Sequence, residues 1–423
     1  MATEEKINAD VIIIGAGIAG LSLALRALQH GLNSVVLDDS RRGATYSATG
    51  IIAPRLDYML KDIDLVSISD RQCELYKFMF PRIVMPQRFL IPINPDQKHI
   101  FSHFDSLLRK YDKITPKRET NLPSSSRISQ SELERREPKI RRGIFEGAFC
   151  LWEFKIDPTE LLCEVERLNK KMGSSYTRIR IDRKTLEFKL KNKRIAEIKA
   201  TTFGGVSLKI EGGTNPLVVV NASGPWIQDI TAPLGINLNI KLRLGIQMSV
   251  PGCYFQSGII TFNKKGGYCI CLPKGNYIQA GPTNTLYTGH PDNSYESRDG
   301  FDSLVNNFRS ILDPNVPVGE CRFLKSGLRV KPNFGDTNRP IIWSHKSSGF
   351  ENFYTLFPGK MSLGLLAADE MLGVVAKDGW HNLNIAPDIK CTLDGNEVMR
   401  NRLFLKAERI KSLAKVGKAI FLS

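Results

Sequence analysis

The chain has 423 residues, and its 59 Lys and Arg exceed its 43 Asp and Glu to give a formal net charge of +16. This length exceeds one ordinary core and predicts two domains. The charge surplus favours anionic ligands, but no basic motif interleaved with aromatic residues is present, so we expect no nucleic-acid partner. No uninterrupted apolar run reaches the roughly 18 residues that a membrane span needs.

The first motif in the chain is VIIIGAGIAGLSLALRALQHGLNSVVLDDS, which begins at residue 11. Val11–Ile14 predicts a buried strand, and Leu21–Gln29 carries apolar residues at helical spacing. Between them, Gly15 allows a tight turn, Gly17 lets a pyrophosphate approach the helix N-terminus, and Gly20 permits close packing of helix on strand. The order of strand, glycine turn and helix predicts a dinucleotide site.

A second predicted strand, Ser34–Leu37, ends at Asp38, which lies 18 residues after Gly20. A carboxylate at this place accepts hydrogen bonds from a ribose 2′-hydroxyl, which argues against a 2′-phosphate and therefore against NADP. The motif alone does not separate FAD from NAD.

The rest of the chain alternates between helical and strand patterns. Predicted helices cover residues 61–80, 157–171 and 299–312, and a further helix begins near Ser129. Short strands are predicted between residues 177 and 220, a buried strand runs into the small-residue turn of PLVVVNASGPW (216–226), and antiparallel strands follow over 241–290, with hairpin turns at Gly266-Gly267 and Gly275-Asn276. Near the end, a strand, a turn at Pro358-Gly359 and a helix from Met361 to Ala376 repeat the opening pattern. We therefore expect a dinucleotide domain assembled from separated segments.

Eight cysteines are scattered along the chain, and the closest pair, Cys269 and Cys271, alternates along a predicted strand. This spacing predicts reduced core thiols and no metal site. The first ten residues, MATEEKINAD, are acidic and polar, so we expect no secretory signal and a cytoplasmic location.

Several segments resemble the FAD-dependent D-amino-acid oxidase superfamily, and within it most closely the flavin-dependent glycerol-3-phosphate dehydrogenases. The resemblance covers about residues 8–376, and its more specific segments, in chain order, are DLVSISDRQCELYKFMFPRIVMPQRFLIPI, FEGAFCLWEFKIDPTELL, VVNASGPWIQDI, AGPTNTLY, KSGLRVKP and FPGKMSLGLLAADEM. It implies an α/β fold, in which a Rossmann-like FAD-binding domain (1–80, 143–235 and 335–423) carries an inserted antiparallel-sheet α+β substrate domain (81–142 and 236–334).

The resemblance also implies the site. The FAD-binding residues would be Gly15, Gly17, Ile18, Ala19, Gly20, Asp38, Asp39, Ala44, Thr45, Ser47, Ala222, Gly224, Trp226, Gly359, Lys360, Met361 and Ser362. The helix that starts near Gly359 and Lys360 would direct its positive N-terminus at the flavin, where negative charge appears on reduction. Arg329 would clamp an anionic substrate group, since a guanidinium suits phosphate and carboxylate equally well. The alternatives are an ordinary helix-start lysine for Lys360 and a structural salt bridge for Arg329.

The sequence departs from the family at the catalytic base. Many members carry a histidine in the small-residue segment after the second strand, whereas residues 46–54 here read YSATGIIAP. Tyr46 would act in its place or line the flavin. His30, His99 and His103 are expected to be structural, and neither His290 nor His345 lies in a motif.

Three functions are therefore open. The first is hydride removal from sn-glycerol 3-phosphate by a dehydrogenase or oxidase, with a quinone, oxygen or a partner protein as electron acceptor. The second is oxidation of an amino acid, amine or 2-hydroxy acid, because a neutral amine needs no strong base. The third is a non-catalytic flavin-binding protein or an electron-transfer subunit.

The C-terminal segment EVMRNRLFLKAERIKSLAKVGKAIFLS occupies the place of the extra helical domain of many glycerol-3-phosphate dehydrogenases. Its pattern predicts a basic amphipathic helix. Such a helix either packs on its own domain or rests on the inner face of an anionic membrane near quinone.

Overall fold

The computed structural model describes residues 4–52, 63–97, 101, 104–114, 122–213, 217–262, 268–293, 297–333 and 338–378. The strands are β1 Glu4–Ala9, β2 Val11–Ile14, β3 Ser34–Asp38, β4 Ile51–Ile52, β5 Met85–Pro92, β6 Ser126–Ser129, β7 Gly147–Lys155, β8 Tyr176–Lys191, β9 Arg194–Thr202, β10 Ser207–Gly212, β11 Val218–Asn221, β12 Ile240–Pro251, β13 Gly258–Phe262, β14 Tyr268–Lys274, β15 Tyr277–Gly281, β16 Thr285–Tyr287, β17 Arg322–Pro332, β18 Ile341–Ser344 and β19 Phe353–Phe357. The α-helices are α1 Ile18–Gln29, α2 Ile63–Met79, α3 Phe104–Ile114, α4 Gln130–Arg136, α5 Pro158–Lys171, α6 Ile227–Thr231, α7 Arg298–Ile311 and α8 Gly364–Lys377.

The first sheet is the dinucleotide sheet, with strand order β1-β10-β9-β8-β3-β2-β11-β19-β18. Its centre, from β8 through β3, β2 and β11 to β19, is parallel. Both faces of β2 are covered, since Val11 and Ile13 pack under α1, α5 and α8 while Ile12 and Ile14 pack into a second core. Burial on both faces explains why this strand is an unbroken apolar run.

The second sheet has the order β16-β12-β15-β14-β13-β5-β7-β4, with β17 paired to β12 and β6 paired to β7. All of its pairs are antiparallel except β13 with β5. Cys269 and Cys271 of β14 pack into the core beneath α7, whereas Ile270 and Leu272 pack on the opposite side with α2 and α3. The α/β fold with an antiparallel second sheet is thus confirmed.

The bounds of the two predicted domains stay a prediction. Residues 143–235 were assigned to the FAD-binding domain, yet β7 within that range pairs with β5 and β6 of the second sheet. The prediction of only short strands between residues 177 and 220 was wrong for β8, which is a single strand of 16 residues. Its length lets one end pair with β3 and the other with β9.

Most predicted helix starts are confirmed by their caps. The Ser129 hydroxyl accepts a hydrogen bond from the Glu132 backbone N–H at 3.2 Å, and the Asp157 carboxylate accepts from Thr159 N–H at 2.8 Å. Helix α1 begins at Ile18, three residues before the predicted start. The turn at Gly275-Asn276 joins β14 to β15 as predicted, whereas Gly266-Gly267, His99, His103 and the predicted C-terminal helix lie outside the described residues.

None of the described helices is long and apolar enough to cross a membrane. The seven cysteines in the described part of the chain are free thiols. Among all residues that the structure describes, no group of three or more His, Cys, Asp or Glu side chains could hold a metal ion.

Buried His345 makes stability depend on pH. It is 3% exposed, its Nε2 lies 2.8 Å from the Thr355 hydroxyl, and burial lowers its pKa from 6.5 to about 4. Between pH 6.5 and 4, His345 is protonated in the unfolded chain but neutral in the folded protein. The free energy of unfolding therefore falls as the pH drops from 6.5 towards 4. We expect His345→Gln to flatten this dependence in urea titrations. His30, whose pKa is also lowered, is present in both proteins, so equal slopes would contradict this role of His345.

Candidate active site

A cavity of about 610 Å³ opens where the parallel strands end. Segments that follow β2, β3, β11 and β19 line one part of it, and β12, β14 and β17 of the second sheet line another. This is the edge at which open α/β sheets bind their ligands, and the volume lies within the roughly 300–1,000 Å³ of small-molecule sites.

The glycine motif forms the floor of this cavity. Helix α1 starts at Ile18, its N-cap Gly17 has no side chain to cap it, and the Ile18 N–H donates to the Thr45 hydroxyl at 3.3 Å. Gly17, Ile18 and Ala19 line the cavity, so the N-terminus of the helix lies at its edge. A Cβ on Gly20 would lie 1.9 Å from the Gly15 carbonyl oxygen, whereas one on Gly17 would meet only the Thr45 hydroxyl, at 3.6 Å. Gly20 therefore serves packing, and Gly17 keeps space open for a ligand.

The carboxylate of Asp38 stands at the nucleotide end. It accepts hydrogen bonds from the backbone N–H of Ala16 at 3.1 Å and of Ser40 at 3.2 Å, and it pairs with Arg178 at 2.7 Å. Two carboxylate oxygens offer about four acceptor positions, so capacity remains for one ribose hydroxyl. Arg178 was missed from the sequence because β8 lies beside β3 only through the sheet order.

The segment at residues 45–50 is fixed against the second sheet. The Ser47 hydroxyl donates to the Ser326 carbonyl, and the Lys325 ammonium donates to the carbonyls of Tyr46 at 3.1 Å and Ala48 at 3.0 Å. Burial lowers the pKa of Lys325. A Cβ on Gly327 would lie 2.3 Å from the Ser47 Cβ, so β17 approaches this segment closely. The backbone that lines the centre of the cavity is thereby held rigidly.

Arg329 lies at the second-sheet end of the cavity. Its Nη2 donates to the Thr283 carbonyl, and a Cβ on Gly245 would come within 3.1 Å of the same nitrogen. Lys331 also lines the cavity. Lys331 was not predicted from the sequence, although it lies two residues from Arg329 and strand alternation places such residues on one face.

Lys360 lies in the turn between β19 and α8. Gly359 has φ +73°, and a Cβ there would lie 2.5 Å from the Asn338 carbonyl oxygen, so glycine is needed for the turn to approach residues 338–339. A short 3₁₀ turn, Met361–Leu363, precedes α8. The helix predicted from Met361 thus begins as a 3₁₀ turn at that residue and becomes α-helical at Gly364, three residues later. The role of Lys360 stays a prediction.

The cavity collects almost all predicted site residues. Those that line it are Gly15, Gly17, Ile18, Ala19, Asp38, Asp39, Ala44, Thr45, Tyr46, Ser47, Ala222, Gly224, Trp226, Arg329, Gly359, Lys360, Met361 and Ser362. Gly20 does not line it, in keeping with its packing role. Lining residues that the sequence analysis did not find include Arg178, Arg183, Tyr268, Asn284 and Lys331.

The histidines in the described part of the chain, His30, His290 and His345, all lie outside the cavity lining. His345 is buried against Phe353, and His290 pairs with Asp229 at 3.2 Å. Of the segment that replaces the family histidine, residues 53 and 54 fall outside the described residues. Burial raises the pKa of Tyr46, so its phenol is protonated at neutral pH. The role of Tyr46 stays a prediction.

A charged cluster joins the two sheets at the mouth of the cavity. Asp292, from the segment between β16 and α7, accepts a hydrogen bond from the Trp226 indole at 2.6 Å and pairs with Arg183 at 3.3 Å and with Arg41. Arg183 also pairs with Asp229 at 3.0 Å. Trp226 and both arginines line the cavity, so Asp292 positions part of its wall.

Asp292→Asn is expected to weaken FAD binding about fivefold. The change removes the charge that holds Arg41, Arg183 and Trp226, and a half-exposed ion pair contributes about 1 kcal/mol. Titration of the cofactor-free protein with FAD, followed by flavin fluorescence, measures the effect. Asp302→Asn on the exposed face of α7 is the control, and an affinity equal to that of the control would contradict the role of Asp292.

Comparison with known families decides what this cavity holds. Residues 10–370 match the family model described as FAD dependent oxidoreductase. The chain belongs to the FAD-dependent oxidoreductase family. Its cofactor is therefore FAD, as the sequence resemblance implied.

Named relatives of this flavoprotein share modest identity with it. It is 22% identical over 377 residues to the aerobic glycerol-3-phosphate dehydrogenase of Staphylococcus saprophyticus, a match that covers 86% of this chain and 64% of that protein. It is 26% identical over 346 residues to the alpha-glycerophosphate oxidase of Lactococcus lactis, covering 76% of this chain and 54% of the relative. The chain thus spans less than two thirds of the length of these relatives.

Among solved structures, the glycerol-3-phosphate dehydrogenase of Bacillus halodurans complexed with FAD aligns with a TM-score of 0.66 at 17% identity. The alignment covers 88% of this chain and 64% of that one. At this identity the likeness establishes the fold.

The residues of the cavity fit FAD. Gly17 leaves room at the N-terminus of α1, which suits a pyrophosphate, and Asp38 retains acceptor capacity for a ribose. Residues 45–50, whose backbone is held by Ser47 and Lys325, and Lys360 line the same cavity and would hold the rest of the cofactor. The same cavity of this flavoprotein is also lined by the cations Arg329, Lys331 and Lys360.

Proposed function

We propose that the protein oxidises the CH–OH group of a small anionic substrate, and that this substrate is sn-glycerol 3-phosphate, with dihydroxyacetone phosphate as product. The observation that carries the proposal is the position of Arg329, which shares one cavity with the dinucleotide motif. Relatives named glycerol-3-phosphate dehydrogenase and alpha-glycerophosphate oxidase support it. Bound FAD supplies the hydride acceptor.

The protein's own residues bind and orient the substrate. Arg329 donates to the Thr283 carbonyl and lines the cavity, where its guanidinium would bind the anionic group of the substrate. In this proposal a substrate whose anion binds Arg329 extends towards residues 45–50, which line the same cavity. Lys360 and the N-terminal turn of α8 are the candidates to stabilise negative charge at the cofactor ring.

The hydroxyl proton must leave as the hydride is transferred. In the described part of the chain no histidine lines the cavity, and the Tyr46 phenol is already protonated. The acceptor in our proposal is therefore water that enters through the open mouth of the cavity.

A second candidate is oxidation of an amine or amino acid, and the same lack of a histidine in the described lining favours it. A neutral amine carries its own lone pair and needs no protein base when hydride leaves the neighbouring carbon. Arg329 would then bind a carboxylate.

Steady-state oxidation with an artificial electron acceptor separates the candidates. We expect turnover with sn-glycerol 3-phosphate and none with glycerol, which lacks the anion. Turnover confined to amino acids or 2-hydroxy acids would replace the first candidate by the second, and a flavin-loaded protein that oxidises none of them would favour a non-catalytic role. The natural electron acceptor, whether quinone, oxygen or a partner protein, follows from repeating the assay with each.

A further inference from the structure

The two strands β12 and β17 carry four cations on one face. Directly opposite one another in this antiparallel pair lie Arg243 and Arg329, and then Lys241 and Lys331. The opposite face of β12 is apolar, since Leu244 and Ile246 are buried in the core beneath α7. We name these four residues the cationic ladder.

The ladder leads directly into the cavity. Gly245 and Gly327, the next pair on the same face, line the cavity, as do Arg329 and Lys331. Arg243 is half-buried, and Lys241 is exposed at the outer end. The cations therefore run from solvent to the substrate end of the site.

Like charges opposite one another across a pair of strands destabilise it, because their Cβ atoms lie only about 4.5–5.5 Å apart. No carboxylate in the described residues pairs with Arg243 or Lys241 within ion-pair distance. Within the described residues the charges of Arg243 and Lys241 are therefore not balanced by an ion pair, and an anionic ligand beside them would balance them.

The number of cations bears on the charge of that ligand. A carboxylate carries one negative charge and is matched by a single guanidinium, whereas a phosphate monoester carries about −1.5 to −2 at neutral pH and three acceptor oxygens. Lys331 lies two residues beyond Arg329 on β17, about 7 Å away along the strand. Arg243 lies directly opposite Arg329 on β12. Three neighbouring cations match the charge of a phosphate monoester better than that of a monocarboxylate.

We propose that Arg243 and Lys331 complete, together with Arg329, a subsite that selects phosphate monoesters over monocarboxylates. This inference rests on the proposed function for its place in the reaction, and it deepens that function by naming the residues that set the substrate class. Arg243 and Lys331 are specificity-determining residues in this account.

The test measures binding without turnover. Isothermal titration of the FAD-loaded protein with inorganic phosphate and, separately, with acetate gives the affinity for each anion. We expect phosphate to bind more tightly than acetate, and Arg243→Gln and Lys331→Gln each to weaken phosphate about tenfold while changing acetate less than threefold. Lys171→Gln on the exposed end of α5 is the matched control and should change neither.

Arg243→Lys keeps the positive charge and should retain most of the phosphate affinity. Its comparison with Arg243→Gln separates loss of the charge from misfolding of the variant. The inference is overturned if the wild type does not prefer phosphate, or if the two glutamine variants weaken both anions equally or neither. If the protein oxidises sn-glycerol 3-phosphate but Arg243→Gln leaves the phosphate affinity unchanged, the inferred subsite is wrong and the proposed function stands. If phosphate binds selectively but the protein oxidises no phosphate ester, the subsite stands and the proposed function is wrong.

Discussion

Replacement of Arg329 by Gln is expected to lower kcat/KM for sn-glycerol 3-phosphate more than 100-fold while FAD stays bound. The guanidinium lines the cavity and is fixed by the Thr283 carbonyl. Loss of one partner of such a charged contact costs about 3 kcal/mol or more, which corresponds to a factor of at least 100. Stopped-flow reduction of the bound flavin at several substrate concentrations measures the change.

The same strand supplies a control. Arg322 lies at the exposed outer end of β17, with its side chain 67% exposed beside Glu320. Arg322→Gln removes the same charge and should alter kcat/KM less than twofold. If Arg329→Gln lowers the unfolding temperature and leaves kcat/KM within threefold of the wild type, Arg329 is a structural residue and the substrate clamp lies elsewhere.

Alanine substitutions in the first glycine turn are expected to have different effects: Gly17→Ala should weaken FAD binding, and Gly20→Ala should destabilise the fold. Gly17→Ala should leave the unfolding temperature of the cofactor-free protein unchanged, because the added methyl group meets only the Thr45 hydroxyl at 3.6 Å. It should nevertheless weaken FAD at least tenfold, since the methyl group projects where the pyrophosphate approaches the backbone.

Gly20→Ala should act through the fold. Its methyl group would lie 1.9 Å from the Gly15 carbonyl oxygen, so α1 must move off β2, and overpacking of this kind costs about 1–3 kcal/mol. Gly373→Ala in α8, where the methyl group meets nothing within 4 Å, is the control and should be neutral or slightly stabilising. Thermal unfolding with and without FAD separates the outcomes, and an unchanged FAD affinity in Gly17→Ala would contradict the assignment of this glycine.

Some parts of the fold and site could be predicted because their causes are local. The glycine turn, Asp38 at the end of its strand and the helix start at residues 359–361 each follow from a few neighbouring residues. The cap at Asp157 and the hairpin turn at Gly275-Asn276 follow in the same way. Such features depend on backbone geometry that the sequence carries within one segment.

Other parts could not be predicted because they depend on which strands become neighbours. Arg178 reaches Asp38 because β8 pairs with β3, and Arg243 stands opposite Arg329 because β12 pairs with β17. Asp292 meets Trp226 across the boundary between the two sheets. No local pattern records these pairings, so the family resemblance located Arg329 but not Arg243 on the neighbouring strand.

The most direct test of the account is the visible spectrum of the purified protein as sn-glycerol 3-phosphate is added without oxygen. The account predicts a flavin band near ~450 nm that bleaches on addition of the substrate and does not bleach with glycerol. A protein that shows no flavin band and cannot be reconstituted with FAD would contradict the cofactor site. A flavin band that sn-glycerol 3-phosphate leaves unchanged, while an amino acid or 2-hydroxy acid bleaches it, would contradict the proposed substrate.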